Sequence, residues 1–245
     1  MSVPIPSPSP YATVYGSPGA RVRFFGLADI YWPFAIVLFL CGYFLHAALP
    51  LAMPRGLAAA LLAAVAMAAW AASDRCARRF GLFLKGAQGE EAVARELALL
   101  PAGWVVFHGV PSRSRRGGGQ DLDHVALGPG GLFAIETKNW SGPVKIEGGT
   151  VTANGFPVSR SPVVQARREA SELKAALAGI LPDGFPVQGM ACFASNGMDC
   201  DAAMVDGTAL CNLRALGRLL RSAPLAPPLE PETRAKIVSA LLARR

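Results

Sequence analysis

Apolar residues in this chain change rhythm near residue 74, and each rhythm predicts a different kind of element. Before it they are nearly unbroken: Ile30 to Leu49 and Leu57 to Ser73 contain no charged side chain. A membrane span needs about 20 apolar residues, within a range of roughly 17–25, and both blocks are long enough. Tyr31 and Trp32 open the first block and Trp70 lies near the end of the second, where amphipathic rings favour the headgroup level. Between them, Pro50-Leu51-Ala52-Met53-Pro54-Arg55-Gly56 has the Pro and Gly of a tight reversal. Residues 29–74 are therefore predicted as a transmembrane helical hairpin, with spans at about 30–49 and 57–73. A buried hairpin in a soluble fold is the alternative, but the Ala-rich second block has no polar stripe of the kind a surface helix shows.

Beyond residue 74 the apolar positions become periodic. Residues 75–84 form a basic juxtamembrane linker, and Gly86-Ala87-Gln88-Gly89 precedes a predicted helix from Glu90 to Leu100 with Ala92, Val93, Leu97 and Leu100 on one side. Strands follow at Trp104–Val110, Leu122–Gly128, Leu132–Thr137, Val144–Glu147 and Val151–Ala153, with Gly128-Pro129-Gly130-Gly131 as a hairpin turn. Ser161-Pro162 opens a helix running to Ala178. A buried strand at Val187–Ala194, a strand at Thr208–Cys211 and helices at Leu213–Leu220 and Glu232–Leu242 complete the pattern. The fold class is α/β. Residues 1–28, with Ser-Pro-Ser-Pro and Gly-Ser-Pro-Gly, read as a flexible leader.

Charge adds an orientation. Arg21 and Arg23 precede the first apolar block, Arg75, Arg78, Arg79 and Lys85 follow the second, and the connection holds Arg55 alone. Positive flanks mark the cytoplasmic side, so the expectation is a multi-pass protein of the cell (inner) membrane with two spans, and with both termini and the soluble domain in the cytoplasm. A 28-residue leader and a second apolar block fit a cleavable signal peptide poorly. From residue 75 onward there are 21 Lys plus Arg against 15 Asp plus Glu, so most of the chain's net +7 lies in the soluble part. That balance favours an anionic partner. The five cysteines include no C-x-x-C pair and stand beside only three histidines, which argues against a zinc cluster. Cys192 and Cys211 read as small buried hydrophobes.

Candidate chemistry lies in one stretch, DHVALGPGGLFAIETKNW. Side chains two apart on a strand share a face, so Glu136 and Lys138 project together, and a hairpin brings Asp123 beside them. Hydrolysing a phosphodiester requires activated water near a phosphorus ringed by negative oxygens, which divalent metals can provide. Asp123 and Glu136 suit Mg²⁺ (or Mn²⁺), which prefers oxygen ligands, and Lys138 would stabilise developing charge. Asp121 stands as an alternative to Asp123. Glu136 and Lys138 can also be read as a solvated surface ion pair. Arg113, Arg115 and Arg116, in a glycine-rich loop just before Asp123, are candidate phosphate contacts; a solvated loop, or one drawn to anionic lipid, is the competing reading.

Together, Gly89-Glu90, Asp123-His124-Val125, Gly131 through Gly142 with its Glu136-Thr137-Lys138-Asn139-Trp140 centre, and Pro162-Val163-Val164-Gln165 resemble the nuclease-related domain (NERD) family of the PD-(D/E)xK nuclease-like superfamily. The resemblance covers about residues 84–195 of a domain at 85–245. It implies a restriction-endonuclease-like mixed central sheet flanked by helices. It also implies Asp123, Glu136 and Glu90 as metal ligands, Lys138 as the catalytic lysine, and Gln165 facing the site. Glu90 can instead favour a helix N-terminal dipole, and Gln165 can cap or pack. His124 reads as packed or hydrogen-bonded, and the sequence identifies no partner for His108. The expected activity is metal-dependent hydrolysis of DNA, or less readily RNA, by a membrane-anchored protein. The alternative is a non-catalytic, membrane-tethered nucleic-acid-binding or scaffold module, because resemblance conveys fold more safely than activity.

Overall fold

A computed structural model describes residues 9–19, 32, 35–44, 46, 54–112, 121–195 and 197–244. The chain divides into two compact units: Ala20–Ala87, and a second built from Met1–Gly19 with Gln88–Arg245.

In the first unit, α1 (Ala35–Phe44) is a short apolar helix, and α2 (Arg55–Ala98) begins there and continues past Ala87. Among the described residues, α2 is the one helix long and apolar enough to cross a membrane; its most apolar stretch has a mean hydropathy of 1.3 and is not buried within the protein. The expected hairpin thus has one helix of spanning length among the described residues rather than two. The expected break between linker and helix is also absent, because α2 runs unbroken through Gly86 and Gly89. Glycine costs a helix only about 1 kcal/mol relative to Ala, and the surrounding Ala, Leu, Lys, Arg and Glu residues are good helix formers. Proline, which does stop helices, occurs just outside the helix at Pro54 and Pro101.

The second unit is a seven-stranded mixed sheet in the order β1-β2-β3-β4-β8-β10-β9. Its strands are β1 (Thr13–Tyr15), β2 (Val105–Val110), β3 (Leu122–Gly128), β4 (Gly131–Lys138), β8 (Val187–Phe193), β9 (Ala202–Val205) and β10 (Thr208–Asn212). A separate antiparallel sheet holds β5 (Val144–Glu147), β6 (Thr150–Ala153) and β7 (Phe156–Pro157). The helices are the end of α2, α3 (Pro162–Ala176), α4 (Leu213–Ser222) and α5 (Pro231–Leu242). Ser161 caps α3 by accepting from the Val164 N–H, and Asn212 caps α4 by accepting from Ala215. Strand alternation sorts the core. Val93, Leu97 and Leu100 cluster with Leu216 and Leu220 of α4 against Val106, Phe133 and Ile135. Leu173 of α3 and Ile237 and Leu241 of α5 cluster against Phe107, Val125, Leu132 and Ala134. Cys192 and Cys211 are fully buried and sit side by side in register between β8 and β10, as small hydrophobes do.

The leader reading fails for residues 9–19. Thr13, Val14 and Tyr15 pair in parallel with Val105, Val106 and Phe107, and the Tyr15 ring stacks on Phe107 at 5.3 Å. Pro and Gly dominate the composition around this strand and conceal it, because its partner lies about ninety residues away.

Candidate active site

The β3–β4 hairpin sets the geometry. Its last pairing toward the site, His124 with Ile135, leaves Asp123 opposite Glu136, and the Thr137 N–H donates to Asp123 Oδ2 at 2.8 Å. Alternation along β4 sends Phe133 and Ile135 into the α2–α4 cluster and Leu132 and Ala134 toward α3. Glu136 and Lys138 continue the second series. α3 lies close because Gly189 of β8 has no side chain: a Cβ there would come 2.2 Å from the Ala166 carbonyl oxygen. Gly89 plays the same part for α2, where a Cβ would meet the Asn139 Cβ at 2.7 Å.

Three side chains then close on each other. The Lys138 ammonium donates to Glu136 Oε1 and, at 2.8 Å, to Gln165 Oε1. The Gln165 amide donates to the same Glu136 oxygen at 2.7 Å. Side-chain exposure is 15% for Lys138 and 5% for Glu136, which excludes a solvated surface pair. Burying an ion pair carries a desolvation penalty that hydrogen bonds must offset; here Gln165 supplies them to both partners. It neither caps a helix nor merely fills space.

One acid was missed. Glu169 lies one helical turn beyond Gln165 on α3, is 1% exposed, and has no hydrogen-bond partner at either oxygen. Burial, then the hydrogen bond it can make to Glu136 only by carrying a proton, then the charges of Glu136 and Asp123, push its carboxyl up to about 11. The signal available in the sequence was the i, i+4 spacing from Gln165, which places both on one helix face. Asp123 is held well above the usual carboxylate range by burial and by the charges of Glu136 and Glu90, with the Thr137 N–H and Lys138 pulling the other way. Glu90, beyond the apolar part of α2, is raised by burial against the lowering effect of the Gly19 N–H, which donates to its Oε2 at 2.9 Å. It sits in the interior of α2, so the helix-dipole reading does not apply to it. Asp121 falls outside β3, which begins at Leu122, although its charge also raises Glu90.

The donor set is chemically suited to a hard divalent cation: all its members offer carboxylate oxygens, and the orphaned oxygens of Glu169 are the kind of buried polar atoms a bound ion satisfies. As placed, no group of three or more His, Cys, Asp or Glu side chains among the described residues is gathered so that it could hold an ion. The Lys138 ammonium instead provides the positive charge at Glu136.

His108 and His124 meet across β2 and β3, Nδ1 to Nδ1 at 2.7 Å. Burial and His108 together lower the His124 pKa well below its usual value. His124 is a packed, hydrogen-bonded residue, and it is the partner of His108 that the sequence did not identify. Arg113, Arg115 and Arg116 lie outside the described residues. A cavity of about 300 Å³ opens beside Ser112, Leu122, Glu172 and Arg244, and none of the candidate residues lines it.

Residues 85–194 match the family model of the nuclease-related domain. An uncharacterized protein of Bacillus anthracis is 37% identical over 59 residues, which are 24% of this chain and 28% of the length of that relative. No solved structure matches the chain significantly.

Proposed function

We propose, from the match of residues 85–194 to the family model of the nuclease-related domain, that the protein is a membrane-anchored, cytoplasm-facing hydrolase that cleaves phosphodiester bonds in DNA, or less readily RNA, with Mg²⁺ or Mn²⁺. The observation that carries the proposal is the buried Glu136–Lys138–Gln165 network facing Asp123. Asp123, Glu136 and Glu90 would hold the cation. When bound, it supplies Lewis-acid polarisation of the phosphate and a more acidic water. Lys138 presents a fixed ammonium to the charge that builds on the phosphate oxygens, and such preorganised groups are worth about 10²–10³ in rate. Gln165 and Glu136 hold that ammonium in place, and the Thr137 N–H fixes one oxygen of Asp123.

The anchoring reading draws support from α2, a helix long and apolar enough to cross a membrane; because β1 precedes the apolar segments yet joins a sheet whose other strands follow them, any such anchor would cross the membrane an even number of times. Arg113, Arg115 and Arg116 are proposed to contact phosphates.

A second reading is favoured by one observation: Lys138, not a cluster of acids, neutralises Glu136 as placed, and no three acids are gathered around an ion among the described residues. That arrangement suits a non-catalytic nucleic-acid-binding or scaffold module. The full chain in detergent micelles, incubated with labelled DNA and RNA and Mg²⁺ or Mn²⁺, separates the two. Cleavage is expected, falling about 100-fold or more in Asp123→Ala and Lys138→Ala. No cleavage by the wild type, or cleavage unchanged from the wild type in both variants, overturns the hydrolase; binding without cutting establishes the second reading.

A further inference from the structure

The cavity beside Ser112, of about 300 Å³, opens where the end of β2 and the start of β3 meet α3 and the chain around the end of α5. Gly109, at a φ of 63°, breaks the alternation of β2, so Phe107 and Val110, three residues apart, join the same cluster. Val110, Leu122, Leu173 and Leu241 give the cavity apolar walls. Its polar edge is narrow. Ser112 is buried, and its hydroxyl donates to Glu172 Oε2 at 2.6 Å. The Glu172 side chain is 24% exposed, with Arg168 Nε 3.7 Å from its other oxygen. An ionised carboxylate offers about four acceptor positions and no donor, so the bond from Ser112 does not exhaust it. Apolar walls with a few fixed polar groups are what small-ligand sites share, and this volume is at the lower end of their range.

Placement narrows the ligand. Leu122 immediately precedes Asp123 on β3, and Glu172 lies three residues beyond Glu169 on α3, so the cavity shares both elements with the Glu136–Lys138–Gln165 network. Consecutive residues are about 3.8 Å apart, and the base of a strand lying across the hairpin can reach the cavity. Pockets for unstacked bases combine apolar walls with hydrogen bonds to the base's pairing edge. We propose that this cavity is a nucleobase subsite, which takes the base of a single-stranded or extruded nucleotide and prefers guanine. The preference comes from Glu172: an acceptor-only carboxylate matches the adjacent N1–H and N2–H donors of guanine, whereas adenine presents one donor beside one acceptor. The inference rests on the reading of the protein as a hydrolase of nucleic acid and adds to it a base-reading contact away from the carboxylates of the hairpin.

The test titrates guanosine, adenosine, cytidine and uridine 5′-monophosphates into the full chain in detergent micelles with EDTA, followed by ligand-detected NMR. Cleavage of labelled DNA with Mg²⁺ and melting temperature are measured on the same preparations. Guanosine monophosphate is expected to bind saturably and about tenfold more tightly than adenosine monophosphate. Glu172→Gln replaces one acceptor by a donor and should reverse that order, which a purely structural role would not do. Ala176→Leu, at a lining position, should fill the cavity and weaken both nucleotides about tenfold. Nucleotide affinities unchanged in both variants, or no saturable binding to the wild type, overturn the subsite. Weakening in Ala176→Leu with no change of order in Glu172→Gln overturns the guanine preference. Cleavage without mononucleotide binding overturns the subsite and leaves the hydrolase standing; binding without cleavage does the reverse.

Discussion

Glu136 receives two donors on one oxygen, the Lys138 ammonium and the Gln165 amide, while Glu169 beside it receives none. Two buried carboxyls that close cannot both ionise cheaply, and Glu169, raised to about 11, keeps the proton. The sign of the pH effect follows. Between pH 7 and 9 the unfolded chain has lost the Glu169 proton and the folded chain retains it, so stability falls as pH rises, by about 1.4 kcal/mol per pH unit for one proton. Raised Asp123 and Glu90 carboxyls act in the same direction. His124 acts oppositely, because its lowered value removes stability only as pH falls through the unfolded histidine range near 6.5. In EDTA, denaturant titrations at pH 7, 8 and 9 should show declining stability, with a shallower decline in Glu169→Gln; a flat wild-type profile would contradict the assignment of the proton.

At the scale of elements, helix-to-sheet distance decides whether the site exists. α3 reaches Glu136 and Lys138 because the facing position on β8 is Gly189. Gly189→Ala would drive a Cβ against the Ala166 carbonyl, and overpacking of this kind costs about 1–3 kcal/mol. It should also push Gln165 and Glu169 away from Lys138. The expected outcome is a lower melting temperature together with impaired Mn²⁺ uptake, although position 189 carries no site group; unchanged stability would show that α3 can yield. Several elements were legible because their pattern is local. The β3 boundaries, the β4 hairpin with its glycine turn, and the Ser-Pro start of α3 all follow from nearby residues. β1, β7 and β9 were not legible: β1 is three residues long and depends on a distant partner, β7 has only two residues, and β9 is made by pairing with β10.

For the whole molecule, the decisive connection is that of residues 9–19 to the domain that follows the apolar stretch. Gly19 donates to Glu90, and β1 pairs with β2, so chain on both sides of Ala20–Ala87 builds one unit. A membrane-anchored form should therefore place both ends on the same side. Reporter fusions before residue 9 and after Arg245 are expected to be active together in the cytoplasm; activity on opposite sides would rule out either this sheet or the membrane crossing.

The sequence by itself determined the block that matches the nuclease-related domain model, the hairpin carrying Asp123, Glu136 and Lys138, and the contrast between the unbroken apolar segments and the periodic domain. Those features rest on spacing within a few residues, where backbone geometry alone dictates which side chains share a face. Only the tertiary structure decided that Gln165 bridges Glu136 and Lys138, that Glu169 is buried beside them, that His108 meets His124, and that a strand from the supposed leader completes the sheet. Each of these depends on contacts between distant segments, whose strength comes from burial and desolvation rather than from local pattern.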